Sequence, residues 1–197
     1  SSLTGFLGRR NEKYVVLYDC DSVAKFDLKD IIQYHESKDA DITIVTRKGL
    51  VEKYYKKIGI DIEVPELIVT VAGSESVNLA LTITCDEGDE VIVLEPFYTN
   101  YNTFAFMNGI TLKAIPTDMK NGFQVPPIEE FEKAITPKTR AIMICNPNNP
   151  TGYLYSKEEL QKVAEIVKKH DLFLFADEVY REFCYDGHEH FSVMQLE

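Results

Sequence analysis

Leu172-Phe173-Leu174-Phe175-Ala176 is apolar at every position, and Asp177 follows it at once. A strand that alternates polar and apolar residues can leave one face wet, whereas an unbroken apolar run demands cover on both faces. The run therefore predicts a central parallel strand. Parallel neighbours need crossover connections, usually helices, and the rest of the sequence supplies them. A β-branched strand is expected over 67–71, stopped by Ala72-Gly73-Ser74, then a helix over 75–84. A strand over 91–94, a helix over 98–107 ending at Asn108-Gly109, and a short strand over 112–115 follow. Pro127 opens a helix to 135, and 140–145 reads as another strand.

Ser156 and Glu159 have the spacing of a capping box. The helix they open turns Leu160, Val163, Ala164 and Val167 inward and ends on Lys168, Lys169 and His170, where cations suit the helix dipole. Further upstream, 51–58 reads as a helix ended by Gly59. Residues 14–18 and 42–45 read as strands flanking a helix capped by Asp27. The expected fold class is α/β, with three layers around a mostly parallel central sheet.

Composition narrows the partners. A net charge of −11 over 197 residues argues against nucleic acid or an anionic membrane, both of which need a surplus of Lys and Arg. Cys20, Cys85, Cys145 and Cys184 are scattered, with no C-x-x-C and no histidine at ligand spacing. That pattern predicts reduced thiols and no zinc. With no leader signal and no apolar run of about 18 residues, the expected location is cytoplasmic and away from membranes.

Two motifs sit at strand ends. Asn146-Pro147-Asn148-Asn149-Pro150-Thr151-Gly152 follows the 140–145 strand, and Asp177-Glu178-Val179-Tyr180 follows the apolar run. An amide, a carboxylate and a phenol thus share the C-terminal edge of the sheet, where α/β proteins bind ligands. A carboxylate there is costly unless it pairs with a cation or donor, and a structural salt bridge or helix cap is the competing reading. Gly73-Ser74-Glu75 joins a strand to a helix N-terminus, which is either an anion site or a plain serine cap. Tyr98 and Tyr101 lie among Phe97, Phe104 and Phe106, so core packing competes with ligand stacking. Asn149-Pro150 is a candidate cis peptide, and the whole proline-rich run also suits an ordinary tight turn.

From Gly49 onward these motifs, with Ala72-Gly73-Ser74-Glu75 and Glu95-Pro96-Phe97-Tyr98-Thr99-Asn100-Tyr101, stand in the order that resembles the large domain of class I/II aminotransferases. These are fold type I enzymes of the aspartate aminotransferase type. The resemblance implies pyridoxal 5′-phosphate as cofactor, with Gly73, Ser74 and the Glu75 amide on its phosphate and Tyr98 stacked on its pyridine. It implies Tyr101 supporting Asp177, Asp177 pairing with the protonated ring nitrogen, and Asn149 and Tyr180 bonding the phenolic oxygen. It also implies amino-group transfer between an amino acid and a 2-oxo acid, in a homodimer with shared active sites. Glu178 and Arg181 are read as surface or dimer-contact residues, and His170, His188 and His190 as residues of solvated loops. No residue maps onto the Schiff-base lysine the reaction requires, and Lys168 and Lys169 are poor substitutes. The chain alone is therefore expected to be inactive or nearly so.

Residues 13–46 fit that pattern poorly. Tyr14-Val15-Val16-Leu17-Tyr18-Asp19-Cys20-Asp21, then Phe26-Asp27-Leu28-Lys29-Asp30-Ile31-Ile32, resemble a fragment of an ADP-glucose-type sugar nucleotidyltransferase. In that family an aspartate at the position of Asp21 binds metal. The glycine that normally precedes it is Cys20 here, and the glycine-rich nucleotide loop is missing. The expected organisation is a chimera: a βαβ segment over 1–48 joined to a partial aminotransferase large domain over 49–197. Two alternatives stand beside it, a non-catalytic α/β domain and a sugar-nucleotide-binding remnant.

Overall fold

The computed structural model describes residues 54–196. The elements expected upstream, Asp21 and the whole of 1–48 lie outside the described residues. Strands β1 (Glu90–Glu95), β2 (Thr111–Pro116), β3 (Thr139–Cys145) and β4 (Phe173–Asp177) form one parallel sheet in the order β2-β1-β3-β4. Helices α1 (Gly73–Thr84), α2 (Asn100–Met107), α3 (Ile128–Ala134) and α4 (Lys157–His170) cover it.

Successive side chains on a strand point to opposite faces, and the inner strands use both. Ile92, Leu94, Ile142 and Ile144 pack with Phe131 of α3 and Leu160, Val163, Ile166 and Val167 of α4. Val91, Val93, Ala141 and Met143 pack with Leu81 of α1 and Tyr101 and Ala105 of α2 on the other side. This is the three-layer α/β arrangement the sequence predicts. Fully burying each such aliphatic side chain contributes about 1.5–3 kcal/mol, so the two cores hold the sheet from both sides.

The element ends have local causes. Ser156 accepts from the Glu159 amide while the Glu159 carboxylate accepts from the Ser156 amide, the expected capping box. At the far end of α4, Lys169 and His170 both reach Glu132 of α3 at 2.8 Å. Within the segment expected to be helical over 51–58, a 3-10 helix spans Tyr55–Ile58, and Gly59 ends it at φ +74, a conformation that favours glycine.

Two expectations are corrected. Residues 67–71 join no sheet among the described residues and bend at Val71, and Ile68, Val69 and Val71 are 72%, 62% and 73% exposed. β-Branched residues favour a pleated surface only where a neighbouring strand takes up their backbone groups, and no described strand lies beside them. The apolar run does form a parallel strand, β4, but at the end of the described sheet rather than its centre, so Phe173 is 51% exposed. Between β4 and 67–71 lies a largely apolar hollow of about 560 Å³. Among the described residues, no helix is long and apolar enough to cross a membrane.

Candidate functional site

From β1 the chain moves outward to β2 and then returns past β1 to β3. The crossovers on either side of the β1–β3 boundary thus run in opposite directions, which opens a crevice at the C-terminal strand ends. A cleft of about 240 Å³ lies at that edge, lined by Gly73, Ser74, Tyr98, Asn149, Asp177 and Tyr180 among others. Six of the seven cofactor-binding residues expected from the sequence therefore meet in one place. Glu75 does not line it. Its amide donates to Ala72 O at 3.1 Å and its carboxylate accepts from the Val71 amide at 2.5 Å, so it closes the turn before α1.

The three asparagines of the proline-rich turn divide the work. Asn146 is fully buried; its amide donates to Asp177 O at 2.8 Å, its side-chain oxygen accepts from the Tyr155 amide, and its Nδ2 donates to Phe191 O. Asn148 ties the turn to the end of β1, donating from Nδ2 to Pro96 O at 3.1 Å and to Thr151 Oγ1 at 2.8 Å. With those anchors made, Asn149 is left to project into the cleft, where its Nδ2 donates to Tyr180 Oη at 3.3 Å. The Asn149–Pro150 peptide is cis as expected, as are Asn146–Pro147 and Glu95–Pro96.

Asp177 closes β4. Its Oδ2 accepts from Tyr101 Oη at 2.7 Å, and its Oδ1 accepts from the Val179 amide at 3.3 Å. Tyr101 is 1% exposed, and burial together with the Asp177 charge raises its phenol far above the usual range, so it stays a neutral donor. Tyr98 crosses Tyr101 edge-on at 5.5 Å between ring centroids, and its hydroxyl accepts from Asn100 Nδ2 at 2.7 Å. Across the cleft, a Cβ on Gly73 would meet Val179 Cγ1 at 3.0 Å. That contact is tight enough that a larger residue at position 73 would push the two walls apart.

Residues that sequence reasoning passed over also line the cleft: Val77, Phe104, Cys145, Val179 and Phe183. Val179 lies inside the quoted Asp177-Glu178-Val179-Tyr180 motif and was legible there. Cys145 was legible only as the last residue of a strand. Burial and the Asp177 charge push its thiol up to about 11, so it is a neutral packing group at ordinary pH. Two other readings are corrected. Glu178 and Arg181, expected to be surface or dimer-contact residues, have side chains only 14% and 15% exposed, which overturns the surface half of that reading, and the His190 side chain, expected in a solvated loop, is 5% exposed. Among the described residues no lysine lines the cleft.

The cleft thus brings a carboxylate, an amide and a phenol together at neighbouring strand ends of a parallel sheet, beside a helix N-terminus. The family model for aminotransferase class I and II matches residues 19–197. The chain is 39% identical over 146 residues to an aspartate/prephenate aminotransferase of Thermus thermophilus, covering 74% of this chain and 37% of that protein. It is 34% identical over 152 residues to an aromatic-amino-acid aminotransferase of Thermococcus litoralis, covering 77% of this chain and 39% of the relative. Among solved structures, an aromatic aminotransferase from Pyrococcus horikoshii superposes with a TM-score of 0.75 at 30% identity, over 88% of this chain and 49% of that one. The chain belongs to the class I and II aminotransferases, and it spans under half the length of these relatives.

Proposed function

We propose that residues 49–197 form a pyridoxal 5′-phosphate-binding domain of an aminotransferase that moves an amino group between an amino acid and a 2-oxo acid. The observation that carries this reading is the meeting of Asp177, Asn149 and Tyr180 in one cleft with the α1 N-terminus beside them. The donor set fits the cofactor. Asp177 is an acceptor for a protonated ring nitrogen, while Asn149 and Tyr180 can donate to a phenolate oxygen. The first-turn amides at Gly73 and Ser74 suit a phosphate, because such amides lack intrahelical acceptors and sit at the positive end of the helix dipole.

When bound, the cofactor supplies an electron sink for a carbanion at the substrate Cα. The chain's own residues bind and orient. Asp177 holds a proton on the ring nitrogen, and Tyr101 holds Asp177 in place. Asn149 and Tyr180 favour the ionised phenol by hydrogen bonding to its charged form. Tyr98 offers a π-face that restricts the ring to its plane. The covalent link to a lysine is not assigned to any described residue, and residues 1–48 are given no part in cofactor binding. Amino acid and 2-oxo acid substrates and a homodimer with shared sites belong to the same proposal.

The test is a fluorescence titration of the chain with pyridoxamine 5′-phosphate, which needs no lysine. Saturable binding that Asp177→Ala weakens about tenfold or more is expected, as for loss of a charge-assisted hydrogen bond worth about 1.5–3 kcal/mol. Absence of wild-type binding at millimolar ligand would leave the non-catalytic α/β domain as the better reading. Treatment with pyridoxal 5′-phosphate and borohydride should leave no stoichiometric lysine adduct.

A further inference from the structure

Glu178 follows the ligand-facing Asp177, yet it is built into a polar cluster outside the cleft lining. Its Oε1 accepts from the Val193 amide at 3.0 Å, and its Oε2 lies 3.6 Å from Arg181 Nη1. His190 Nε2 is 4.0 Å from Oε1, and neither buried ring nitrogen of His190 has a hydrogen-bond partner among the described residues. Arg181 also sits over the Tyr54 ring, 5.7 Å from its centroid, and Tyr54 donates to Glu182 at 2.9 Å. A carboxylate withdrawn from water costs free energy unless charge and hydrogen bonds compensate it. Here that compensation comes from two directions. Arg181 belongs to the turn that carries Tyr180, and Val193 opens the 3-10 helix Val193–Gln195, which Gln195 ties to Ile58 O at 3.1 Å.

Tyr180, by contrast, is weakly held by its own contacts. It is 38% exposed, meets Phe183 edge-on at 6.1 Å, and has the 3.3 Å contact with Asn149. Its place is set by the backbone turns around it, where the Arg181 amide donates to Glu178 O and the Phe183 amide donates to Tyr180 O. The Glu178 side chain staples the first of those turns to the 193–195 helix.

We propose that Glu178 is a positioning residue of the cleft, clamping the turn that carries Tyr180 so that its hydroxyl stays beside Asn149. This inference rests on the reading of the cleft as a pyridoxal phosphate site. Its test is a double-mutant cycle on the full chain, reading the dissociation constant for pyridoxamine 5′-phosphate. Glu178→Ala and Tyr180→Phe should each weaken binding about fivefold to tenfold, the scale of one hydrogen bond. The double variant should be no weaker than Tyr180→Phe alone, because residues that act through one another are non-additive.

Glu178→Gln keeps the shape and an acceptor for Val193 but drops the charge facing Arg181. It should lose about threefold, and nothing further in the Tyr180→Phe background. That variant carries the cycle if circular dichroism shows the alanine variant unfolded. Wild-type affinity in a folded Glu178→Ala, or in Glu178→Gln where that variant carries the cycle, overturns the positioning role. So do additive losses, which mark a purely structural contribution. Failure of the wild-type chain to bind the probe overturns the cofactor reading itself, and the positioning role with it.

Discussion

Tyr101 donates a 2.7 Å hydrogen bond to Asp177 from a ring that is 1% exposed, so the carboxylate is oriented by a group with no room to move. Tyr101→Phe should keep the packing but strip the carboxylate of its donor. A loss of roughly 1–3 kcal/mol is expected, read as a lower urea midpoint with an unchanged slope. His190 gives a second outcome. Burial, reinforced by the Arg181 charge, lowers its pKa from 6.5 to about 4. The unfolded chain then binds more protons between those values, so the stability gained by keeping the ring neutral is whole above about pH 6.5 and drains away toward pH 4. At about 1.4 kcal/mol per unit, up to about 3.5 kcal/mol is involved.

Glu178 opposes this. Burial raises its carboxyl, so its contribution is present below its ordinary range and is lost as pH rises. Asp177, Arg181 and Glu182 supply the remaining charge around the pair. Urea midpoints from pH 7 to 4.5 should fall in the wild type, and His190→Phe should flatten part of that fall. Asp177 was legible in the sequence because a charge directly after five apolar residues announces its own cost. Glu178 and His190 were not, because their burial comes from the fold-back of the segment around 188–196, which no local pattern encodes.

The helix elements were the most legible. The capping box of α4 and the Gly59 stop fell where local chemistry put them, since a cap is a contact between residues a few positions apart. Strands depend on partners, and there the reading was uneven. β1, β2 and β3 were foreseen to within about one residue at each end, whereas among the described residues 67–71 has strand composition without a ladder and β4 stands at the end of the sheet. Both departures concern one gap, the 560 Å³ hollow between them. Among the described residues nothing pairs with the outer edge of β4, and an unpaired apolar edge recruits other strands. Light scattering against concentration should therefore show self-association, and Val69→Lys, at a position 62% exposed, should reduce it without lowering the urea midpoint.

Over the whole molecule, the fold class and the gathering of six site residues could be read from four motifs in order, because strand ends of a parallel sheet converge on one edge whatever lies between them. The cleft and the larger hollow share Gly73, Val77, Asp177 and Val179 as walls. A ligand at Asp177 is thus approached from two sides. No lysine among the described residues lines the cleft to tether it, so release of the cofactor aldehyde from those residues is governed by non-covalent dissociation. Pyridoxal 5′-phosphate should accordingly exchange rapidly on and off the chain, giving averaged rather than doubled phosphorus resonances as it is titrated.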